Sequence, residues 1–225
     1  IADHHPGPTR SRAVGLHQVG IYLGVMCGSL GGYVADAPGL GWRWTFSILG
    51  GIGVVYSIPL WLLLRDIPRE RIPEAPFTSA ASLLRNSNFR LLLLYFTLPA
   101  LAGWVVRDWM PSILRNELAL TQGLAGLSAV VWWQGAAILS ALGGGWLSDR
   151  WMQRSPRGRQ LASALGMGLI FPALLGVGIV VGLKSLPLAI AFLILFGLGW
   201  GLFDSNNMPI LAQIARPDQR ATGYG

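Results

Sequence analysis

Apolar and polar residues alternate in long blocks along this chain. Six apolar blocks cover residues 15–35, 45–64, 91–114, 123–147, 160–181 and 186–212, and short polar joins separate most of them. An α-helix needs about 20 apolar residues to cross the hydrocarbon core of a bilayer, and every block reaches that length. The pattern therefore predicts an all-α, polytopic membrane protein, a helical bundle with six transmembrane helices.

The composition agrees with a membrane environment. Of the 225 residues, 52% are hydrophobic and only 12% are charged, whereas soluble domains carry about 25% charged residues. The single cysteine, Cys27, excludes an internal disulfide, and the three histidines all lie near the N-terminus, where they indicate no metal site. We expect neither a metal nor a cofactor.

The net charge of +7 reflects membrane topology rather than affinity for nucleic acid. When the six spans are threaded through a bilayer, nearly all basic residues fall on the side of the N-terminus. Arg43, Arg115 and Lys184 fall on the opposite side, and Arg107 lies inside a span. By the positive-inside rule, both ends of the chain are cytoplasmic. We expect an integral protein of the cell's inner or plasma membrane, in contact with anionic lipid.

The longest polar join, residues 65–90, is rich in proline and charge and predicts a cytoplasmic linker. It separates two spans (residues 1–64) from four (residues 91–225), so we place a domain boundary there. Within it, residues 78–86 favour a short helix on the membrane surface. The chain begins without Met and ends just after a span, so we expect it to be a fragment.

Four glycines at intervals of four residues, Gly20, Gly24, Gly28 and Gly32, form one face of the first span. Such a face lets another backbone approach closely. It predicts either ordinary helix packing or a sliding interface between two moving bundles. In addition, residues 29–36 (SLGGYVAD) resemble residues 141–149 (ALGGGWLSD), at the opposite side of the membrane. Similar segments in opposite orientation are typical of inverted repeats in transporters.

The polar join after the fourth span carries a family resemblance. Residues 143–160, GGGWLSDRWMQRSPRGRQ, resemble the cytoplasmic signature loop of the major facilitator superfamily. The matching positions are Gly145, Leu147, Asp149, Arg150, Arg154, Arg157, Gly158 and Arg159. Residues 41–46, GWRWTF, resemble that family's external join between its fifth and sixth helices. WMPSIL at 109–114 and GLFDSNN at 201–207 are most similar to the Spinster-like and organic anion:cation symporter branches.

This resemblance implies that the chain holds helices five to ten of a twelve-helix secondary transporter. Such a protein is a monomer in which two six-helix bundles rock around a central site. It implies a small solute, an organic anion or an amphiphile, with a proton as a candidate coupling ion. The signature loop would act as a conformational latch, with Asp149 accepting hydrogen bonds from backbone amides or pairing with arginines. The alternative is that these arginines only anchor the topology.

The sixth span contains the most costly polar insertion of the chain. Asp204, Asn206 and Asn207 follow 18 residues of helix, which places them in the inner leaflet. An ionised side chain at such depth costs about 2.5–3.5 kcal/mol on insertion scales, and such residues usually face a cavity. Pro209 frees a backbone carbonyl, which favours a bend. We therefore predict that this run lines the solute or ion pathway; the alternative is a structural carboxylate.

Three further polar residues lie inside spans. Arg107 and Asp108 occupy the outer leaflet in the third span, and Gln134 lies near mid-depth in the fourth. The resemblance places the third and sixth spans beside the central cavity, so these residues are further pathway candidates. Alternatively, Arg107 and Asp108 reach the outer interface, and Gln134 bonds to a neighbouring helix.

Two other functional classes compete with transport. An intramembrane enzyme would use Asp204 as acid or base, but the sequence lacks H-E-x-x-H, G-x-S-x-G and a second acid in the same leaflet. A six-span scaffold or receptor would show no solute flux. The signature loop favours a transporter over both, and we predict that the protein is not an enzyme.

Overall fold

The computed structural model describes residue 5 and residues 7–63, 76–216 and 219–224. In these ranges the chain is helical, with short turns and no strand. The helices are α1 (Arg10–Ser29), α2 (Gly31–Asp36), α3 (Trp42–Leu63), α4 (Pro76–Arg85), α5 (Ser87–Trp104), α6 (Met110–Leu118), α7 (Gln122–Met152), α8 (Gly158–Gly182), α9 (Leu186–Ile214) and α10 (Arg220–Tyr224). A 3₁₀ turn, Gly7–Thr9, precedes α1.

Six helical stretches are long and apolar enough to cross a membrane, as the hydropathy pattern predicts. They are Arg10–Asp36, Trp42–Leu63, Ser87–Leu118, Gln122–Met152, Gly158–Gly182 and Leu186–Ile214. The helical ends have local causes. Asn86 caps α5 by accepting from the amide of Asn88 at 2.9 Å, and Thr121 caps α7 by accepting from the amide of Leu124 at 3.3 Å.

The third span is interrupted by a π turn, Val105–Trp109, between α5 and α6. Pro111 explains its position, because proline has no amide hydrogen to give to the carbonyl of Arg107, and its ring would collide with that carbonyl in a regular α-helix. A single wide turn relieves both conflicts, and such turns are frequent at functional sites. The turn contains Arg107 and Asp108.

The centre of the bundle is α9, which packs along both α7 and α8. Glycines permit this close approach. A side chain at Gly201 would collide with the carbonyl of Ala137, and one at Gly199 would lie 2.6 Å from the carbonyl of Gly166. Phe196 and Leu193 fill the remaining space and are fully buried. The core is thus built from small residues that bring backbones together, as is usual between membrane helices.

The first span runs antiparallel to α7. Gly15 faces the carbonyl of Ala141, and Gly32 faces the carbonyl of Gln122. Of the predicted glycine face, Gly32 therefore lies against another helix. Positions Gly20, Gly24 and Gly28 have no atom of the described chain within 4 Å of where a side chain would begin, so their role in packing stays a prediction.

Two parts of the predicted organisation have a more limited outcome. α4 matches the short helix expected within residues 78–86. Residues 64–75, which form most of the predicted linker, lie outside the described residues. α3 contacts α2, where Thr45 lies against Gly31, and none of its residues is buried within the described chain. The division into two bundles stays a prediction.

Candidate functional site

The carboxylate of Asp204 lies between the sixth span and the first. Tyr22 of α1 donates its hydroxyl hydrogen to Asp204 Oδ2 at 2.7 Å, and the amide of Gln18 donates to the same oxygen. Gln18 and Tyr22 are four residues apart, so they share one face of α1, and both are buried. From α9 itself, Asn207 Nδ2 donates to Asp204 Oδ1 at 3.2 Å. We call Asp204, Gln18, Tyr22 and Asn207 the carboxylate cluster.

The two asparagines of the predicted pathway separate in the structure. Asn207 belongs to the carboxylate cluster, whereas Asn206 is fully buried and donates to the carbonyl of Leu202 at 2.9 Å. Each has a buried side-chain oxygen for which the described chain offers no hydrogen-bond donor. α9 remains helical through Pro209.

A series of aromatic rings extends from the carboxylate cluster. Trp200 lies one turn before Asp204 on α9 and stacks on Phe196, with ring centroids 5.7 Å apart. Phe203 lies 5.8 Å from Trp200, and the series continues to other helices. Its members are Tyr95, Phe96, Trp133, Phe196, Trp200 and Phe203. We call these six residues the aromatic wall; they belong to the hydrophobic core, in which Trp133, Phe196 and Phe203 are at most 3% exposed while Tyr95, Phe96 and Trp200 are only partly buried.

The other predicted pathway residues lie apart from the carboxylate cluster. Arg107 donates to its neighbour Asp108 at 2.9 Å, and both side chains are about half exposed. They satisfy each other's charge within the π turn. Gln134 is 1% exposed, and its side-chain oxygen finds no donor within the described residues. It follows Trp133, which is part of the aromatic wall.

The signature loop forms a second, separate polar group at the start of α1. Asp149, at the end of α7, accepts from the backbone amides of Ser11 at 3.2 Å and Arg12 at 3.0 Å. Arg159 donates to Asp149 at 3.2 Å and to the hydroxyl of Ser11 at 2.8 Å. Asp149 and Arg159 are at most 1% exposed. Because α1 lacks a side-chain cap of its own, Asp149 supplies that cap from another helix.

The remaining loop residues have different environments. Gly145 lies against the backbone of Ser11, and a side chain at Gly158 would collide with the backbone of Met152. Arg150 lies over the ring of Trp146, 5.4 Å from its centroid. Arg154 and Arg157 are exposed. Arg157 lines a cavity of about 920 Å³ between α5, α8 and α9, and Arg154 lines one of about 550 Å³ on α8.

Sequence reasoning missed three of these residues. Gln18 and Tyr22 carried a usable signal, since they are polar groups four residues apart within an apolar span. Ser11 carried none, because its role depends on the amide that α1 presents to Asp149. The sequence pattern marked the carboxylate acceptors Asp149 and Asp204 and the nearby donors Arg159 and Asn207, but not the donors that α1 contributes.

Comparisons with known proteins place the chain in one family. The family model of the Major Facilitator Superfamily matches residues 1–225. The chain is 28% identical over 231 residues to an MFS-type efflux pump of Mycolicibacterium smegmatis, covering 99% of this chain and 52% of that protein. It is 31% identical over 132 residues to protein spinster homolog 1 of Homo sapiens, covering 53% of this chain and 25% of that protein.

No solved structure gives a significant match. The chain spans about half the length of the efflux pump and a quarter of the spinster homolog. The six membrane-spanning helices and the family match agree with the resemblance carried by the signature loop. This chain is an integral membrane protein and belongs to the major facilitator superfamily.

Proposed function

We propose that this chain is part of a secondary transporter that moves a small amphipathic solute by alternating access, with the carboxylate cluster as its solute- or proton-binding site. The observation that carries the proposal is the position of Asp204, a carboxylate bonded from α1 and located on α9. In the predicted organisation, α1 belongs to one bundle and α9 to the other. Any movement of the bundles at this depth must therefore change the hydrogen bonds of this carboxylate.

Protonation would act directly on those bonds. An ionised carboxylate only accepts hydrogen bonds, whereas the protonated acid also donates one. Gln18 and Tyr22 both offer donors to Asp204 Oδ2, so a proton on that oxygen removes an acceptor from one of them. Proton binding thus weakens the contact between α1 and α9, which links a proton to the movement of the bundles.

The surroundings favour an amphiphile over a simple organic anion. Trp200, a partly buried ring of the aromatic wall one turn before Asp204 on α9, suits contact with an apolar ring or chain. Arg107, the residue expected to attract an anion, is paired with Asp108. A solute with an apolar body and a hydrogen-bond donor or positive group fits the wall and the carboxylate together.

The signature loop serves as a latch in this proposal. Asp149 and Arg159 join the start of α1 to α7 and α8 by buried, charge-assisted hydrogen bonds, which are stronger than neutral ones. Opening the cytoplasmic side requires these bonds to break. We further propose cytoplasmic chain ends, a monomeric protein and contact between the exposed Arg154 and Arg157 and anionic lipid.

The test is transport by the intact protein in vesicles. We expect an imposed proton gradient to drive movement of ethidium, a fluorescent amphipathic cation, and Asp204→Asn to abolish it while the protein still inserts and folds. Asp108→Asn is the matched control, because it removes the same charge from an exposed site, and we expect it to retain most activity. Unchanged proton-driven transport in Asp204→Asn would show that Asp204 is not the coupling group.

A further inference from the structure

A second carboxylate caps a helix at the other end of the same helix pair. Asp36, the last residue of α2, accepts from the backbone amide of Gly123 at 2.8 Å, in the first turn of α7. Asp149, near the end of α7, accepts from the amides of Ser11 and Arg12, in the first turn of α1. The start of each span is thus capped by an aspartate from the end of its partner.

A glycine accompanies each aspartate at the same spacing. Gly32 lies four residues before Asp36, and its missing side chain leaves room for the backbone of Gly123, 3.1 Å from where a Cβ would stand. Gly145 lies four residues before Asp149 and makes the same approach to the backbone of Arg12, also at 3.1 Å. Residues four apart share a helix face, so each glycine and aspartate contact the same helix end.

The two contacts have a common physical basis. The first amides of a helix have no partner within it, and the helix dipole places partial positive charge there. A carboxylate satisfies both needs. Because the first span and α7 are antiparallel and each crosses the membrane, the two caps lie on opposite sides of the bilayer.

We propose that Asp36 is a positioning residue of the transport cycle, holding the external ends of the first span and α7 together as Asp149 holds their cytoplasmic ends. This inference rests on the proposed alternating access. When two bundles rock open on one side, the cap on that side breaks while the other remains. The cycle would then alternate between loss of the Asp36 cap and loss of the Asp149 cap.

The two caps differ in strength. Asp149 is fully buried, accepts from two backbone amides and pairs with Arg159. Asp36 is exposed and makes a single backbone bond. Water replaces an exposed hydrogen bond at little cost, whereas a buried charge pair must be rehydrated before it opens. The external cap is therefore the one that opens more easily, and the resting protein is closed at the cytoplasmic side.

The test measures opening on each side separately in the intact protein, in a cysteine-free background that includes Cys27→Ser. Spin labels on exposed Pro38 and Asn116 report the external side, and labels on exposed Thr9 and Gln153 report the cytoplasmic side. Pulsed electron resonance gives the fraction of long distances for each pair. We expect Asp36→Ala to raise the ratio of open to closed external sides about twofold to tenfold, the range for the loss of one hydrogen bond.

Three further variants make the result specific. Asp36→Asn keeps an oxygen that accepts from the amide of Gly123, so it restores part of the closed fraction. Asp36→Lys puts a cation against the start of α7 and opens the external side further than Asp36→Ala does. Glu117→Ala removes another exposed external acid and leaves the distances unchanged. Asp149→Asn instead raises the fraction of long distances between the two cytoplasmic labels.

Each outcome decides the proposal. Unchanged external distances in both Asp36→Ala and Asp36→Lys, or an equal change in Glu117→Ala, would overturn it. External opening confined to the Asp36 variants supports it. These distances are measured without a solute, so they do not depend on the proposed transport activity. If that activity is absent, the Asp36 variants still change the distances although the protein moves no ethidium.

Discussion

The buried pair of Asp149 and Arg159 allows a quantitative test of the latch. Asp149→Asn keeps the size of the side chain but removes its charge, so Arg159, which is 1% exposed, keeps a buried charge without its carboxylate. Breaking a buried pair in this way costs about 3–5 kcal/mol. The hydrogen bonds from the amides of Ser11 and Arg12 also lose their charged acceptor. We therefore expect Asp149→Asn to lower the free energy of unfolding by at least about 3 kcal/mol.

The double variant separates the pair from its surroundings. Combining Asp149→Asn with Arg159→Met also removes the buried guanidinium group that has lost the charge of Asp149, and it keeps an apolar chain in its place. The double variant should lose no more stability than Asp149→Asn alone. The coupling energy in the cycle of four proteins is then at least the loss caused by Arg159→Met alone, which we expect to be about 2 kcal/mol or more. Equilibrium unfolding in mixed micelles of dodecyl sulfate and a mild detergent measures all four.

Arg150→Met is the matched control. Arg150 is exposed and lies over the ring of Trp146, a contact worth about 0.5–1 kcal/mol at an exposed site. Additive losses in Asp149→Asn and Arg159→Met would refute the reasoning, since two residues that stabilise each other cannot have independent effects. If Arg150→Met lowers the free energy of unfolding as much as Asp149→Asn does, the assay responds to the loss of any charge near the membrane and not to the Asp149–Arg159 pair.

Three further predictions concern the helices and the carboxylate cluster. Gly201→Ala should destabilise the protein by about 1–3 kcal/mol because of overpacking against α7, whereas Gly178→Ala, which meets open space, should be neutral or slightly stabilising in the same unfolding assay. Tyr22→Phe removes one hydrogen bond to Asp204, so we expect the free energy of unfolding to fall by about 0.5–1.5 kcal/mol and the pH profile of transport to change. An unchanged pH profile would contradict the place of Tyr22 in the carboxylate cluster. Trp200→Ala should raise the ethidium concentration that gives half-maximal transport at least about tenfold. An unchanged concentration would show that the aromatic wall is not part of the binding site.

The membrane spans and the family could be predicted from the sequence because both depend on local patterns. A segment enters the bilayer according to its own hydropathy and its ability to pair its backbone within one helix. The six predicted spans and the six helices therefore coincide. The signature loop is likewise a short run of neighbouring residues. That Asp149 of this loop caps α1 follows from the preference of carboxylates for helix starts.

The contacts between helices were decided by the tertiary structure. Asp204 stood out because a carboxylate is costly in a membrane, but its donors Gln18 and Tyr22 lie more than 180 positions earlier in the chain. Their meeting depends on how α1 is rotated against α9. The first span is seated against α7, where backbones approach most closely at Gly15 and Gly32, and no local pattern shows which glycines of a helix will face a neighbour.

The same limit explains the charged pair in the third span. Arg107 and Asp108 were expected to line the pathway because charges in a span usually face a cavity. In the structure a π turn before Pro111 brings the two side chains together, about half exposed within the described chain, and their place in the pathway stays a prediction. The sequence by itself determined which segments enter the membrane and which residues cost free energy there, since both follow from the free energy of transfer from water to the bilayer. Only the packed helices decided which of those residues meet, because that depends on the rotation and register of each helix against its neighbours.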